Sequence, residues 1–331
     1  MCTAATYRTE CFYMGRNLDY DEDYGAEVTI TQRRYPITFR HGGSCGLHYA
    51  MIGTALVREG YPLYYDAVNE KGLGMAGLNF VSSTCYHEPE AGKRNVAQFE
   101  LIPYVLGQCS CLSEARKMLS ETIITGEPFA GGMTAARLHW LIADRTGAMV
   151  VESVAEGVKL YDDPVGVLTN EPPFPVQLFS LNDYMGLSPR QPENRFSDRL
   201  GLTAYSRGMG TNGLPGGLSS QERFVRAAFT RLNSVSVRTE SESVGQFFHI
   251  LGSVEQVRGC CVTSDSKCEV TQYTSCWNAD RGIYYYTTYK NRQICAVDMH
   301  RESLGGSGLV CYPMLSGERI HYQNKKDGAK T

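Results

Sequence analysis

MCTAATYRTECFYMGRNLD, residues 1–19, reads as two short strands folded back on one another. Residues 2–8 and 11–17 each fit a strand, and Thr9-Glu10 between them fits a tight hairpin turn. A chain that opens on a hairpin starts an antiparallel sheet, and the rest of the sequence keeps that habit. Residues 28–31 alternate apolar and polar side chains. Residues 61–68 and 72–80 flank Asn69-Glu70-Lys71-Gly72, a good turn because asparagine and glycine tolerate positive φ. Residues 138–143 and 148–154 flank Asp144-Arg145-Thr146-Gly147, and a third run, 158–161, leads into 166–169. Strands over 270–277, 282–288 and 293–298 close the chain.

Two helical blocks interrupt the strands. Residues 99–106 and 112–119 carry apolar side chains at helical spacing, as do 219–232 and 243–251. Ser113 is expected to cap the second of these helices, and Ser219 or Ser220 the third. The order strands, helices, strands, helices, strands predicts an α+β fold of two packed sheets with helices outside. Strand pairs that look like hairpins argue against a parallel doubly wound sheet.

The 331 residues are 42% hydrophobic and 20% charged, enough apolar material for a substantial core. With no internal repeat or low-complexity linker, residues 1–331 are expected to form one domain, Met1 being removed in the mature form. The glycine-rich run 208–217 reads as a loop, without the strand–GxGxxG–helix context of a nucleotide site. A net charge of -3 argues against a nucleic-acid partner, and Lys325, Lys326 and Lys330 read as a solvated tail. No apolar run approaches the roughly 18 residues of a membrane span. Arg8 and Glu10 sit where a signal peptide would be apolar, so the expected location is the cytoplasm, away from membranes. Twelve cysteines in such a chain are expected to be free thiols. Neither Cys109/Cys111 nor Cys260/Cys261 has the CxxC spacing of a zinc site, so no metal is expected and these read as buried, unreactive thiols.

Chemistry concentrates at the N-terminus. Removal of Met1 leaves Cys2 with a thiol and a free α-amine, which titrates at about pH 8 and can take the thiol proton. In Gly15-Arg16-Asn17-Leu18-Asp19, Arg16 and Leu18 share one strand face and Asn17 and Asp19 the other, unless a strand end near Asp19 relaxes that separation. A guanidinium beside the thiol favours thiolate, and a carboxylate can orient the amine. An ordinary strand-end ion pair is the plainer alternative. Asn79 and Asn170 each stand where an apolar strand stops, so their amides either supply oxyanion donors or simply form turns. Arg223 lies on the 219–232 helix, where an arginine is ordinarily solvated.

MCT at the start, GRNLD, NEKGLGMAGLNF, VLTNEP, GLPGGLSS and RFVRAAF succeed one another in this order. Together they resemble choloylglycine hydrolase, also called conjugated bile salt hydrolase, within the N-terminal-nucleophile hydrolases, with penicillin V acylase as a relative. The resemblance implies a four-layer αββα sandwich, a homotetramer, no cofactor, and a nucleophile uncovered here by loss of Met1 alone. It implies that Cys2 is nucleophile and supplies the base, and that Arg16 lies beside the thiol. Asp19 would fix the amine, Asn79 form the oxyanion hole, Asn170 orient nucleophile and substrate, and Arg223 support the site.

The implied reaction is hydrolysis of glycine- or taurine-conjugated bile salts, small amphipathic molecules, through a thioester on Cys2. Asn79 favours that substrate, since penicillin V acylases typically carry tyrosine there. For the steroid body, Leu18 is the apolar residue of the GRNLD motif, while Phe129 and Leu138 border the loop 126–137. An ordinary loop anchor is the competing reading of Phe129. Ala130, Gly131 and Gly132 stand where bulkier side chains are expected, so the conjugate preference stays open. Competing readings are a penicillin V or acyl-homoserine lactone acylase, a metal-binding thiol protein, and a papain-like Cys–His enzyme. For the last, no histidine stands in a recognisable context.

Overall fold

The opening hairpin forms: β1 (Cys2–Arg8) pairs antiparallel with β2 (Phe12–Tyr20). The computed structural model describes residues 1–236 and 238–324, so Lys325, Lys326 and Lys330 lie outside the described residues. In chain order the next strands are β3 (Glu27–Thr31), β4 (Ile37–Phe39), β5 (Gly43–Cys45), β6 (Met51–Arg58), β7 (Tyr61–Asn69), β8 (Gly74–Asn79) and β9 (Arg94–Ala97). Then come α1 (Leu101–Gln108), α2 (Leu112–Leu119), β10 (Thr122–Thr125), β11 (Leu138–Asp144), β12 (Gly147–Val154), β13 (Gly157–Asp162), β14 (Val167–Leu168) and α3 (Phe174–Ser180). The chain continues through α4 (Ser220–Asn233), α5 (Glu240–Gly252), β15 (Val270–Asn278), β16 (Ile283–Thr288), β17 (Asn291–Asp298) and β18 (Leu309–Pro313).

Two large sheets result, six-stranded in the order β14-β1-β2-β15-β16-β17 and eight-stranded in the order β13-β12-β11-β8-β7-β6-β3-β18. Every neighbouring pair in both is antiparallel. One core cluster joins Met14 and Trp277 of the first sheet to Ile52, Val68 and Leu78 of the second, and reaches Phe224 of α4 and Phe247 of α5. A second cluster packs Leu101, Val105 and Leu106 of α1 and Leu119 of α2 on Met75, Trp140 and Ile142 of the eight-stranded sheet. Helix, sheet, sheet, helix is the αββα order. Among the described residues no helix is long and apolar enough to cross a membrane.

Two bulges shape the interior between the sheets. β15 shifts register between Thr271, opposite Asp19, and Tyr273, opposite Leu18. In β7, Thr54 of β6 faces Asp66 and Ala55 faces Tyr64, which leaves Tyr65 as the extra residue. A bulge frees backbone groups from the ladder and re-aims its neighbours.

Several element ends differ from the reading of the sequence. Ser113 does not cap α2, whose first turn is satisfied from elsewhere: Leu112 N donates to Asp144 at 2.7 Å, and Glu114 reaches back to Ser110 N at 2.7 Å. α5 starts at Glu240 rather than 243, because Thr239 caps it and an acidic first turn suits the helix dipole without any apolar signal. A 3-10 turn, Gln98–Glu100, precedes α1. Ser219 does cap α4, accepting from Glu222 N. The structure adds α3, β6 and β18, which the sequence pattern does not signal. All twelve cysteines are free, but they are not uniformly buried. Cys109 is, and burial pushes its thiol up to about 12. Cys260 is exposed, and Cys111 is half-buried with its thiol lowered by a hydrogen bond from Ser113.

Gly15 lets β2 and β15 approach. A Cβ there would lie 2.0 Å from the Ser275 carbonyl oxygen. Gly15→Ala is expected to destabilise the fold by roughly 1–3 kcal/mol, the usual scale of overpacking. A lowered midpoint of thermal or urea unfolding would show it, and an unchanged midpoint would show that the strands part freely.

Candidate active site

Register decides which side chains meet at the start of β1. Cys2 pairs with Leu18 and Ala4 with Arg16, so the Cys2 thiol, Arg16 and Leu18 share a face. That face looks across the sandwich. Arg16 spans the gap, donating from Nη1 to the Gly77 carbonyl of β8 and, at 3.2 Å, to that of Tyr65, the bulge residue of β7. Its Nη2 lies 2.5 Å from Cys2 Sγ. Asn17 and Asp19 occupy the opposite face, toward the helices: Asn17 Nδ2 donates to Leu251 O of α5 at 3.0 Å. The β15 bulge presents Thr271 to Asp19, and its hydroxyl donates to Oδ1 at 2.6 Å.

The separation between Arg16 and Asp19 is therefore not relaxed, because β2 runs on to Tyr20. Backbone bridges it instead. Met1 N donates to Asp19 O at 2.7 Å, and Asp19 N donates to Met1 O at 2.9 Å, so the Met1–Cys2 peptide lies between the thiol face and the carboxylate face. The Met1 ammonium also pairs with Glu269. Burial pushes that ammonium's pKa down, against the opposing pull of Cys2 and Asp19.

Arg223 of α4 is fully buried rather than solvated. It donates from Nη1 to Cys2 O at 2.5 Å and Thr3 Oγ1 at 2.6 Å, and from Nη2 to Asn170 Oδ1 at 2.7 Å. It stands 3.9 Å from Asp19 Oδ2, a buried oxygen that accepts no hydrogen bond among the described residues. Asn170 Oδ1 accepts from Cys2 N at 2.8 Å, and Asn170 Nδ2 donates to Asn79 O at 2.8 Å. Asn79, the last residue of β8, is half-buried, and its side-chain amide makes no hydrogen bond among the described residues. All six residues singled out from the sequence thus belong to one contact network.

Four buried charged groups surround Cys2, on both faces of its strand. Burial alone would lower the Arg16 guanidinium, but Cys2, Tyr273, Asp66 and Asp19 outweigh it and raise its pKa. Burial raises the Asp19 carboxyl, opposed by Arg223 and the terminal ammonium. Burial lowers Arg223 and raises Asp66. Asp66 accepts from Tyr273 at 2.6 Å and from Tyr284, both on the facing sheet. The sequence reading missed it, although an acid inside the apolar run YPLYYDAV was its signal. The Gly77 and Tyr65 carbonyls carry no side-chain signal at all.

The apolar candidates divide. Leu18 stands cross-strand from Cys2, and Leu138 cross-strand from Asn79. Phe129 instead packs on Tyr61 and Phe99, with ring centroids 5.5 and 5.4 Å away, and its carbonyl accepts from Arg40. A guanidinium on the sulfur stabilises negative charge there, and the amide protons of Asn79 stay available. The arrangement suits attack on an acyl carbonyl.

Residues 2–312 match the model of the linear amide C–N hydrolases, choloylglycine hydrolase family. A bile salt hydrolase/transferase from Lactiplantibacillus plantarum is 51% identical over 324 residues, covering 98% of this chain and 100% of that one. A conjugated bile acid hydrolase from Clostridium perfringens superposes with a TM-score of 0.90 at 34% identity, covering 98% and 100% of the two chains. A penicillin V acylase from Agrobacterium tumefaciens shares the fold, with a TM-score of 0.74 at 21% identity over 95% and 92%. The chain belongs to the choloylglycine hydrolase family.

Retained Met1 is expected to silence the site, because it ties the Cys2 nitrogen into a peptide. Protein made with methionine removal blocked should show under about a hundredth of the activity of processed protein, the scale of losing a positioned base. Comparable turnover by a sample whose mass still includes Met1 would contradict this.

Proposed function

We propose that this member of the choloylglycine hydrolase family hydrolyses the amide bond of glycine- or taurine-conjugated bile salts through a thioester on Cys2. The observation that carries the reading is the network of Arg16, Asn170 and Arg223 on Cys2, in a chain 51% identical over nearly its whole length to a bile salt hydrolase/transferase.

Loss of Met1 turns Cys2 N into an amine, with Asn170 Oδ1 already 2.8 Å away and Asp19 Oδ2, which accepts no hydrogen bond among the described residues, as a second acceptor to hold it. That amine takes the thiol proton, and Arg16 steadies the thiolate. Sulfur adds to the amide carbonyl, while the Asn79 amide and a backbone N–H stabilise the oxyanion. Collapse breaks the C–N bond, and the α-ammonium gives its proton to the departing glycine or taurine. Water, deprotonated by the same amine, then cleaves the thioester, releasing the bile acid and restoring the thiol. An amine in place of that water would give acyl transfer, in keeping with the relative's double name. No step draws on a cofactor or metal.

Leu18 beside Cys2 and Leu138 beside Asn79 supply apolar contact for the steroid, and Phe129 with Tyr61 and Phe99 extends an apolar wall. The chain is one domain, and copies of it assemble, as a tetramer by analogy with the family. Phe179, Met185, Phe196, Leu202 and Tyr205 are each more than half exposed along one stretch of chain, which supports self-association. Twelve unpaired thiols suit the reducing cytoplasm. A net charge of -3 gives nucleic acid no attraction.

The test is amine release from glycocholate, taurocholate and penicillin V by protein whose mass shows loss of Met1. Cleavage of a bile salt at least about tenfold faster than penicillin V is expected, a modest discrimination for an apolar pocket. The reverse order would keep the Cys2 chemistry and assign the chain to the penicillin V branch. Cys2→Ala should reduce release to background, and appreciable turnover by that variant would exclude the thioester.

A further inference from the structure

His139 of β11 takes no part in the acyl-transfer steps, yet it touches both segments that carry the asparagines. Its side chain is fully buried, and in register it stands opposite Leu78, one residue before Asn79. Nε2 lies 2.8 Å from the carbonyl of Thr169, the residue before Asn170. The ring stacks on Phe80, the residue after Asn79, with centroids 4.3 Å apart and planes 4° from parallel. Nδ1 lies 3.3 Å from Glu152 Oε1, itself fully buried on β12, and the same oxygen accepts from Phe174 N at 2.8 Å. Phe174 opens α3, just beyond the Asn170–Pro173 turn.

We infer that His139, braced by Glu152, is a positioning residue that fixes Asn79 and Asn170 relative to each other and to Cys2. Two strand ends from different sheets must meet so that Asn170 Nδ2 reaches Asn79 O at 2.8 Å while Asn170 Oδ1 holds Cys2 N. The imidazole grips one end by its face and the other by an edge nitrogen. The Thr169 carbonyl can only accept, so Nε2 donates to it, and Nδ1 shares one proton with the Glu152 carboxyl. An apolar side chain of similar size keeps the volume but leaves Thr169 O and Glu152 without that partner, and a buried group stripped of its partner drives local rearrangement. The rearrangement would fall on the oxyanion donor and on the orienting asparagine, leaving the sulfur and Arg16 untouched.

This inference rests on the acyl-transfer reading, but not on the identity of the acyl group. The experiment therefore uses whichever of glycocholate, taurocholate and penicillin V the wild type cleaves fastest. The amount of competent enzyme is counted by alkylation of Cys2, read from the mass of the N-terminal peptide so that other exposed thiols do not interfere. For His139→Leu, kcat per alkylatable Cys2 is expected to fall about 10- to 100-fold, the penalty for small misplacements of a catalytic group. KM should stay within about threefold, and Cys2 alkylation should slow far less than kcat falls, because Arg16 still holds the sulfur while the oxyanion donor has moved.

A purely structural role would lower the unfolding midpoint and the competent fraction, yet leave kcat per Cys2 as in the wild type, and that result would overturn the inference. So would a loss of kcat matched by slower alkylation, which would place the defect at the nucleophile. Should His139→Leu fail to fold, His139→Gln keeps a donor toward Thr169 O but loses the stacking on Phe80. A smaller fall of the same kind supports the inference, and wild-type kcat per Cys2 refutes it. A wild type that prefers penicillin V revises the substrate and leaves the ratio of variant to wild type as informative as before.

Discussion

The site depends on the contact between a guanidinium rooted in one sheet and carbonyls belonging to the other. Arg16 leaves β2, passes the Cys2 sulfur, and ends on the Tyr65 and Gly77 carbonyls. A buried cation is tolerable only when its hydrogens find acceptors and its charge finds a counter-charge. The bulge at Tyr65 contributes to the first, and Asp66, the next residue, contributes to the second. The spacing of the two sheets and the environment of the thiol are thus set by one side chain. Arg223 plays the matching part on the helix side, where one guanidinium reaches the Cys2 carbonyl, Thr3 and Asn170. The nucleophile is clasped from both faces of its strand, by cations whose own positions are over-determined.

Much of this was legible in the sequence, for reasons that differ between residues. The β1–β2 hairpin came from two short runs and a turn, and its register alone puts Arg16 and Leu18 on the thiol face. Asn79 and Asn170 were visible because strands visibly stop there. Arg223 was not readable from its helix, since burial of a helix face depends on what packs against it. Only the order of the motifs picked it out. Asp66 and His139 escaped for a related reason. A polar residue in an apolar strand becomes interpretable only when its partners are known, and these come from Tyr273 and Tyr284 across the sandwich, or from Thr169 some thirty residues along.

Local signals failed where the backbone is satisfied at a distance. Ser113 looked like a cap, but Asp144, from a strand that comes after α2 in the chain, meets the α2 N-terminus. The separation of Asp19 from Arg16 looked like a difficulty needing a strand end to resolve it. It is better understood as a division of labour, with the sulfur addressed from the interior, the carboxylate held on the helix side, and the chain terminus placed between them.

The extra residue in β7 also bears on how the family can vary. Deleting Tyr65 would straighten the ladder, with Tyr64 and Asp66 still opposite Ala55 and Thr54. Asp66 would stay in the interior, but one of the carbonyls that receive Arg16 would be lost. The bulge thus makes this strand closed to insertions and deletions, while the loop 126–137, which has no ladder to keep, stays open to them. A change of length in that loop leaves the strand pairing, and the chemistry held by it, as they are.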